Sequence, residues 1–261
     1  MSKEKPLILV TNDDGITAPG IRHLVNIMKE IGEVIIVAPD SPQSGMGHAI
    51  TVENLLYCDP VELPERYTYK AYSCSGTPVD CVKIACRKIL NRMPDLCVSG
   101  INHGSNSAIN VIYSGTMSAA VEAGTNGIPA IGFSLLDYNL NADFEHTTEY
   151  VKQITHSVLK NGLPKGVVLN VNIPKNSEEG IKGMKVCRQA KAHWKEDFLE
   201  RTNPRGRDYF WPVGVFVNEE KNGKDTDEYA LSQNYISIVP VQFDMTAHSA
   251  LDELKTWDID S

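Results

Sequence analysis

Two adjacent carboxylates, Asp13 and Asp14, lie between Asn12 and Gly15, directly after the apolar run Pro6-Leu-Ile-Leu-Val-Thr11. If that run is a strand, both acids sit at its carboxyl end, the edge where open α/β sheets place their ligands. Like charges held so close repel one another, and a bound divalent cation relieves the repulsion; all-oxygen donors favour a hard ion such as Mg²⁺ or Mn²⁺. An Asx-turn, with Asp13 or Asp14 capping the next helix, accounts for the same residues without any ligand.

Three further segments bring small polar side chains and glycines to the same edge: Ser41-Pro-Gln-Ser44-Gly45, Gly100-Ile-Asn102-His103-Gly104, and Ser114-Gly115-Thr116. Glycine lets backbone N–H groups approach an anion closely, and a helix start adds unpaired donors with a favourable dipole. Each segment alone reads equally well as a turn. Facing a carboxylate pair together, they fit a metal and a phosphate. His103, as an imidazole, suits general acid or base work and equally suits binding to neighbouring backbone. His48 reads as a loop-edge residue, and Thr77 with Asp80 as a helix cap. Trp194, Tyr209, Phe210 and Trp211 have the faces to stack on a nucleobase, but packing between subunits is the commoner use of exposed aromatics in an arm.

The elements that must position these residues alternate. Pro6–Thr11 reads as a buried parallel strand, residues 19–31 as a helix with Pro19 at its first position and Gly32 at its stop, and Glu33–Ala38 as a second strand. That is one βαβ unit, which implies a parallel sheet with a right-handed crossover. Ala49–Tyr57 and Tyr67–Ser73 read as two more strands. A helix capped by Thr77 follows and ends before Pro94; then come a strand at Asp95–Ser99, a polar loop at Gly100–Tyr113, and a small-residue helix opened by Ser114 and stopped by Gly124 and Gly127. Ile128–Phe133, a helix at Asp143–Lys160 and a strand at Gly166–Ile173 continue the alternation. Beyond Lys175 the texture changes to charged, turn-rich chain with short strand candidates at Lys185–Gln189 and Tyr209–Val217, then a buried strand at Tyr235–Val241 and a short helix at Leu251–Trp257.

Composition narrows the function classes. The chain has 261 residues, 42% of them apolar, with 25 basic and 33 acidic side chains and a net charge of −8, which excludes a disordered chain and a disulfide miniprotein. Without a Lys/Arg block, such acidity argues against a stable nucleic-acid partner or an anionic membrane surface, while a small anion can still be bound locally. No apolar run approaches the roughly 20 residues of a membrane span and no signal-peptide core follows the first lysines, so a cytoplasmic location is expected. The six cysteines, at 58, 74, 81, 86, 97 and 187, show no C-x-x-C spacing and read as reduced core residues.

Five co-linear blocks carry a resemblance: Thr11-Asn-Asp-Asp-Gly15, Ala38-Pro-Asp-Ser-Pro-Gln-Ser44-Gly45, Ser75-Gly-Thr-Pro-Val-Asp-Cys-Val82, Pro94-Asp-Leu-Cys-Val-Ser-Gly-Ile-Asn-His-Gly104 and Tyr113-Ser-Gly-Thr116. In order and spacing they resemble the SurE family, the stationary-phase survival proteins, which are metal-dependent nucleoside monophosphate phosphatases. Thr226-Asp227 to Ala230-Leu231 and Tyr235-Ile-Ser-Ile238 resemble its C-terminal block. The resemblance implies one divalent cation per subunit, Mg²⁺ or Mn²⁺, held by Asp13, Asp14, Ser44 and Asn102, with Asp13 and Asn102 catalytic. It places Ser114, Gly115 and Thr116 near the substrate phosphate, with Asn12 and Gly45 in the same motifs. Pro42-Gln43 and Met46-Gly47-His48 depart from the family pattern within the metal loop.

The implied fold is α/β, a Rossmann-like three-layer sandwich with a mostly parallel sheet and an extended C-terminal arm. Residues 1–175 would form the catalytic core, 176–230 an arm pairing subunits into homodimers and sometimes tetramers, and 231–261 a strand and helix returning to the core. The expected reaction is hydrolysis of nucleoside 5′-monophosphates, with 3′-monophosphates also considered, by metal-assisted attack of water. An aspartyl-phosphate phosphatase of the haloacid dehalogenase type needs Asp-x-Asp where this chain has adjacent acids, and a receiver-like module needs an aspartate where this chain has Asn102.

Overall fold

Apolar runs bounded by turn residues become the strands of one sheet, and the segments of helical period pack on its two faces. The computed structural model describes residues 5–62, 69–139, 141–257 and 259. In chain order the elements are β1 (Leu7–Thr11), α1 (Pro19–Ile31), β2 (Glu33–Pro39), β3 (Cys58–Pro60), β4 (Lys70–Cys74), α2 (Pro78–Ile84), β5 (Leu96–His103), α3 (Gly115–Thr125), β6 (Ala130–Leu135) and α4 (Thr148–Asn161). There follow β7 (Val167–Ile173), β8 (Met184–Val186), β9 (Ala192–Thr202), β10 (Asp208–Asn218), α5 (Asp227–Ser232), β11 (Ile236–Gln242) and α6 (Leu251–Leu254).

Nine strands form the central sheet in the order β3-β4-β2-β1-β5-β6-β7-β11-β8. The six neighbouring pairs other than β3–β4 and β7–β11 are parallel. Side chains of a strand alternate between faces, and here both faces are covered. Ile8 and Val10 point into one apolar layer with Leu24, Phe133 and Val151, beneath α1 and α4. Leu9 and Cys97 point into the other with Met117, Ala120 and Val82, beneath α2 and α3. This is the expected three-layer α/β sandwich. Among the described residues no helix is long and apolar enough to cross a membrane, and all six cysteines are free thiols.

The α2 start follows the sequence reading closely. The Thr77 side chain accepts the Asp80 N–H while the Asp80 carboxylate accepts the Thr77 N–H at 3.0 Å, with Pro78 in the first turn. That cap also explains why Ala49–Tyr57 is irregular chain rather than the expected strand. Thr77 Oγ1 donates to the Ala49 carbonyl at 2.8 Å and Thr51 donates its hydroxyl to Asp80 at 2.7 Å, so the segment is held by side chains, not by a neighbouring strand. Its alternating apolar residues Ile50, Val52, Leu55 and Tyr57 face solvent. No residue of Ala49–Tyr57 is strand, β3 beginning only at Cys58, and β4 starts at Lys70; Tyr67 and Thr68 of the second expected strand lie outside the described residues.

Beyond β7 the sheet continues. β8, read from sequence as part of the arm, pairs in parallel with β11, and β11 pairs antiparallel with β7. β9 and β10 form a separate antiparallel hairpin, exposed along most of its length and half-buried near its base. At its base Arg188 pairs with Glu220 at 2.9 Å and Asp225 at 2.7 Å, and Trp194 donates to Asn110 Oδ1 at 2.8 Å.

Candidate metal and phosphate site

β1 ends where its backbone must turn toward α1, and Asn12 makes that turn: its side-chain N–H donates to the Gly15 carbonyl at 2.9 Å, with Gly15 at φ +96°. The loop after β2 is stitched to the same place by Ile16 N–H to Pro39 O at 2.8 Å and Gln43 N–H to Asp13 O at 2.7 Å. The two strand ends that flank the expected metal loop are thereby fixed before any ligand is considered.

Asp13 is 4% exposed and is held by the start of α3. The Thr116 hydroxyl donates to Asp13 Oδ1, and the Thr116 backbone N–H also points at this carboxylate. The approach is so close that a Cβ on Gly115 would lie 2.6 Å from Asp13 Cβ and 2.9 Å from Oδ2. Glycine there is a steric requirement. Asp14 accepts the His103 N–H at 3.4 Å. Burial, opposed by the Thr116 bond and reinforced by Asp14, raises the Asp13 carboxyl to about 6, and burial also raises Asp14. No Lys or Arg pairs with either acid among the described residues.

This donor set fits a hard cation. Two confined carboxylates without a Lys or Arg partner, Asp14 favoured by the nearby His103 ring, sit beside three buried oxygens lacking a hydrogen-bond partner, Asn12 Oδ1, Thr11 Oγ1 and Ser99 Oγ, the last two on residues paired across β1 and β5. Asn102 Nδ2 donates to Gly104 O at 2.9 Å, which leaves its amide oxygen available. Among the described residues no three His, Cys, Asp or Glu side chains gather into a ligand cluster, so a cation here draws its remaining protein donors from neutral oxygens.

The residues expected at the phosphate divide their labour. Ser114 is the α3 N-cap, accepting the Met117 N–H at 3.0 Å, and Thr116 orients Asp13 rather than standing clear of it. Asn12 closes the β1 turn. Ser44 and Gly45 lie on an exposed loop, Gly45 at φ +73°, and the Ser44 side chain makes no hydrogen bond among the described residues. The His103 ring meets Phe144 edge-on at 5.0 Å.

Two supports escape a sequence reading. His48 Nε2 lies 3.2 Å from Glu122 Oε2, whose other oxygen takes Lys83 Nζ at 2.8 Å; with Gly47 N–H to Tyr113 O at 3.1 Å, these contacts moor the far end of the loop carrying Ser44. Glu122 sits within a helix of small residues and gives no local signal. Likewise Asp227 accepts the Ala108 N–H at 2.8 Å and the Ala190 N–H at 2.9 Å, bracing the loop after β5 from the C-terminal part of the chain. Ala108 holds a positive φ of 50° there.

Fold and site together define an α/β protein of mostly parallel sheet with an acidic pair at the carboxyl edge of its first strand. The family model described as Survival protein SurE matches residues 8–196. The chain is 70% identical over 259 residues to a protein named 5′-nucleotidase SurE from Christiangramia forsetii, covering 99% of each, and 65% identical over 255 residues to one of the same name from Flavobacterium psychrophilum, covering 98% of each. The crystal structure of the SurE protein from Aquifex aeolicus superposes with a TM-score of 0.82 at 36% identity, covering 96% of this chain and 98% of that one. The chain belongs to the SurE family.

Because the folded Asp13 carboxyl keeps its proton to a higher pH than the unfolded one, its destabilising charge is absent below about pH 4 and complete above about pH 6, of order 3 kcal/mol. In chelator at pH 7.5, Asp13→Asn therefore melts at or above the parent's temperature, and the difference shrinks toward pH 4.5. Added Mn²⁺ raises the melting temperature of the parent alone. Calorimetric scans at both pH values check this.

Proposed function

We propose that the chain is a metal-dependent 5′-nucleotidase that hydrolyses nucleoside 5′-monophosphates to nucleoside and phosphate, with water as the nucleophile. The observation that carries the reading is the Asp13–Asp14 pair, Asp13 buried and Asp14 half-buried, which no Lys or Arg pairs and whose Asp13 abuts the N-terminus of α3. The 5′-nucleotidase names of relatives at up to 70% identity support the same activity. Asp13, Asp14, Ser44 and Asn102 would hold one Mg²⁺ or Mn²⁺ per subunit. When bound, the cation supplies positive charge that polarises a phosphoryl oxygen and acidifies water.

The protein's own groups do the positioning. Thr116 holds one oxygen of the Asp13 carboxylate, while the other lies against Gly115 at the start of α3. The Ser114-Gly115-Thr116 helix start supplies a favourable dipole for an anion, and the glycine loop at Gly45 lets backbone approach the phosphate. His103, beside Asp14, serves either as the acid that protonates the departing nucleoside oxygen or as the base toward the attacking water. Adjacent acids do not suit a covalent aspartyl-phosphate route, whose nucleophile and acid require Asp-x-Asp.

The hairpin β9–β10 presents Phe198, Tyr209, Phe210 and Trp211 to solvent, and we assign it to pairing with a second copy of the chain in a homodimer or a tetramer. Six free thiols suit a reducing cytoplasm.

With Mn²⁺ and a panel of nucleoside monophosphates, the parent is expected to release phosphate and Asp13→Asn to fall to background. Thr116→Val, which removes only the group orienting Asp13, should lose about ten- to a hundredfold in kcat/KM. Acid quenching with phosphate-labelled substrate should leave no label on the protein; a labelled aspartate would support the covalent route instead. Replacing residues 195–215 by a short turn should lower the mass of the assembly by native mass spectrometry, and an unchanged oligomer would remove the hairpin from that role.

A further inference from the structure

Three of the six cysteines converge at the edge of the sheet, although they are spread over residues 58–81. Cys58 on β3 stands directly opposite Cys74 on β4. The flanking bonds, Ser75 N–H to Tyr57 O at 2.9 Å and Val61 N–H to Ala71 O at 2.8 Å, make Cys58–Cys74 a non-hydrogen-bonded pair of the antiparallel ladder. In such pairs the α-carbons approach to about 4.5 Å and the side chains are at their closest. That separation lies within the range of about 4.4–6.8 Å that a disulfide spans. Cys58 packs against the apolar layer that contains both Cys74 and, from α2, Cys81.

The three sulfurs are not equivalent. Cys58 is half-buried and reachable from solvent, whereas Cys74 and Cys81 are buried. The Cys81 thiol and the Gly76 N–H, the latter 3.4 Å from Cys74 Sγ, stabilise the Cys74 thiolate and bring its pKa down to about 7. Burial and the neighbouring Cys74 push Cys58 up to about 11. The outer sulfur is therefore the point of entry and the inner one a ready nucleophile beside it. The three do not form a metal cage.

We propose that Cys58 and Cys74 are an oxidative modification site, closing to a reversible intramolecular disulfide when the protein meets a low-molecular-weight disulfide such as oxidised glutathione. Cys58, losing its proton to solvent, attacks the small disulfide, forming a mixed disulfide and releasing one glutathione thiol. The Cys74 thiolate then attacks the Cys58 sulfur; the bond to the remaining glutathione breaks, and that sulfur leaves as thiolate and takes up a proton. Two protein thiols are oxidised and one small disulfide is reduced to two thiols. The first step is limited by the scarce Cys58 thiolate and the second is intramolecular, so the mixed disulfide does not accumulate. The cross-link lies just before the Ser75-Gly76-Thr77 turn, whose cap holds Ala49 and Thr51, and so fastens the base of the excursion that returns from the Ser44 loop.

The test is to incubate the native, full-length protein with excess oxidised glutathione, then unfold it in denaturant with iodoacetamide so that every remaining thiol is blocked, and map the products by mass spectrometry. The parent should fall from six alkylatable thiols to four, with a Cys58–Cys74 cross-linked peptide that dithiothreitol reverses. Cys74→Ser should instead accumulate one glutathione on Cys58, Cys58→Ser should keep its five thiols, and Cys81→Ala should still form the cross-link. A parent that keeps all six thiols, that carries a lasting glutathione adduct, or whose cross-link joins any other pair would overturn the proposal. The parent's own map decides the matter even if a variant folds poorly.

Discussion

Everything at the carboxyl edge of this sheet is arranged around one unfavourable interaction, two carboxylates brought together, one buried and one half-buried, with no Lys or Arg to answer them and only the His103 ring acting favourably on Asp14. A protein that keeps such a pair must hold it by force, and the restraint here is visible. The Thr116 hydroxyl and backbone reach Asp13 from α3, Gln43 donates to its carbonyl from the loop after β2, and the His103 backbone reaches Asp14 from the end of β5. Two strand ends and a helix start thus converge on two adjacent residues. Gly115 is the clearest sign of how tight the convergence is, because any side chain there would collide with Asp13.

The net charge of −8 describes the whole surface and not the site. At the site, the acids that add to the negative total are the groups able to hold a cation, and a bound cation would reverse the local sign. The rest of the chain keeps that geometry rigid. His48, Glu122 and Lys83 moor one loop, and Asp227 moors another from more than a hundred residues away in sequence. The long separation explains why the C-terminal segment, which contributes none of the expected ligands, still belongs to the same sheet and supports the same edge.

Local signals made much of this legible before the structure. The βαβ unit, the Thr77 capping box and the Ser114 helix start are encoded within a few residues of one another, and each was found where its pattern lies. What was not legible depends on partners distant in the chain. Ala49–Tyr57 has strand-like alternation, yet side-chain bonds from the α2 cap take its backbone out of the ladder. Lys185–Gln189 reads as arm because it is flanked by charged turns, yet β11 recruits it as β8. Glu122 looks like a helix surface residue until Lys83 and His48 meet it. For Thr116 the sequence located the right edge of the sheet, while only geometry revealed that its hydroxyl is turned to Asp13.

The central claim is that the strain between Asp13 and Asp14 exists to bind a divalent cation. The most direct measurement is anomalous diffraction from crystals of the protein soaked in Mn²⁺. The account predicts one anomalous peak per subunit, within coordination distance of carboxylate oxygens of both Asp13 and Asp14 and reached by the Ser44 hydroxyl and the Asn102 amide oxygen. Crystals at saturating Mn²⁺ without a peak between the two carboxylates, or with manganese bound only elsewhere, would contradict it.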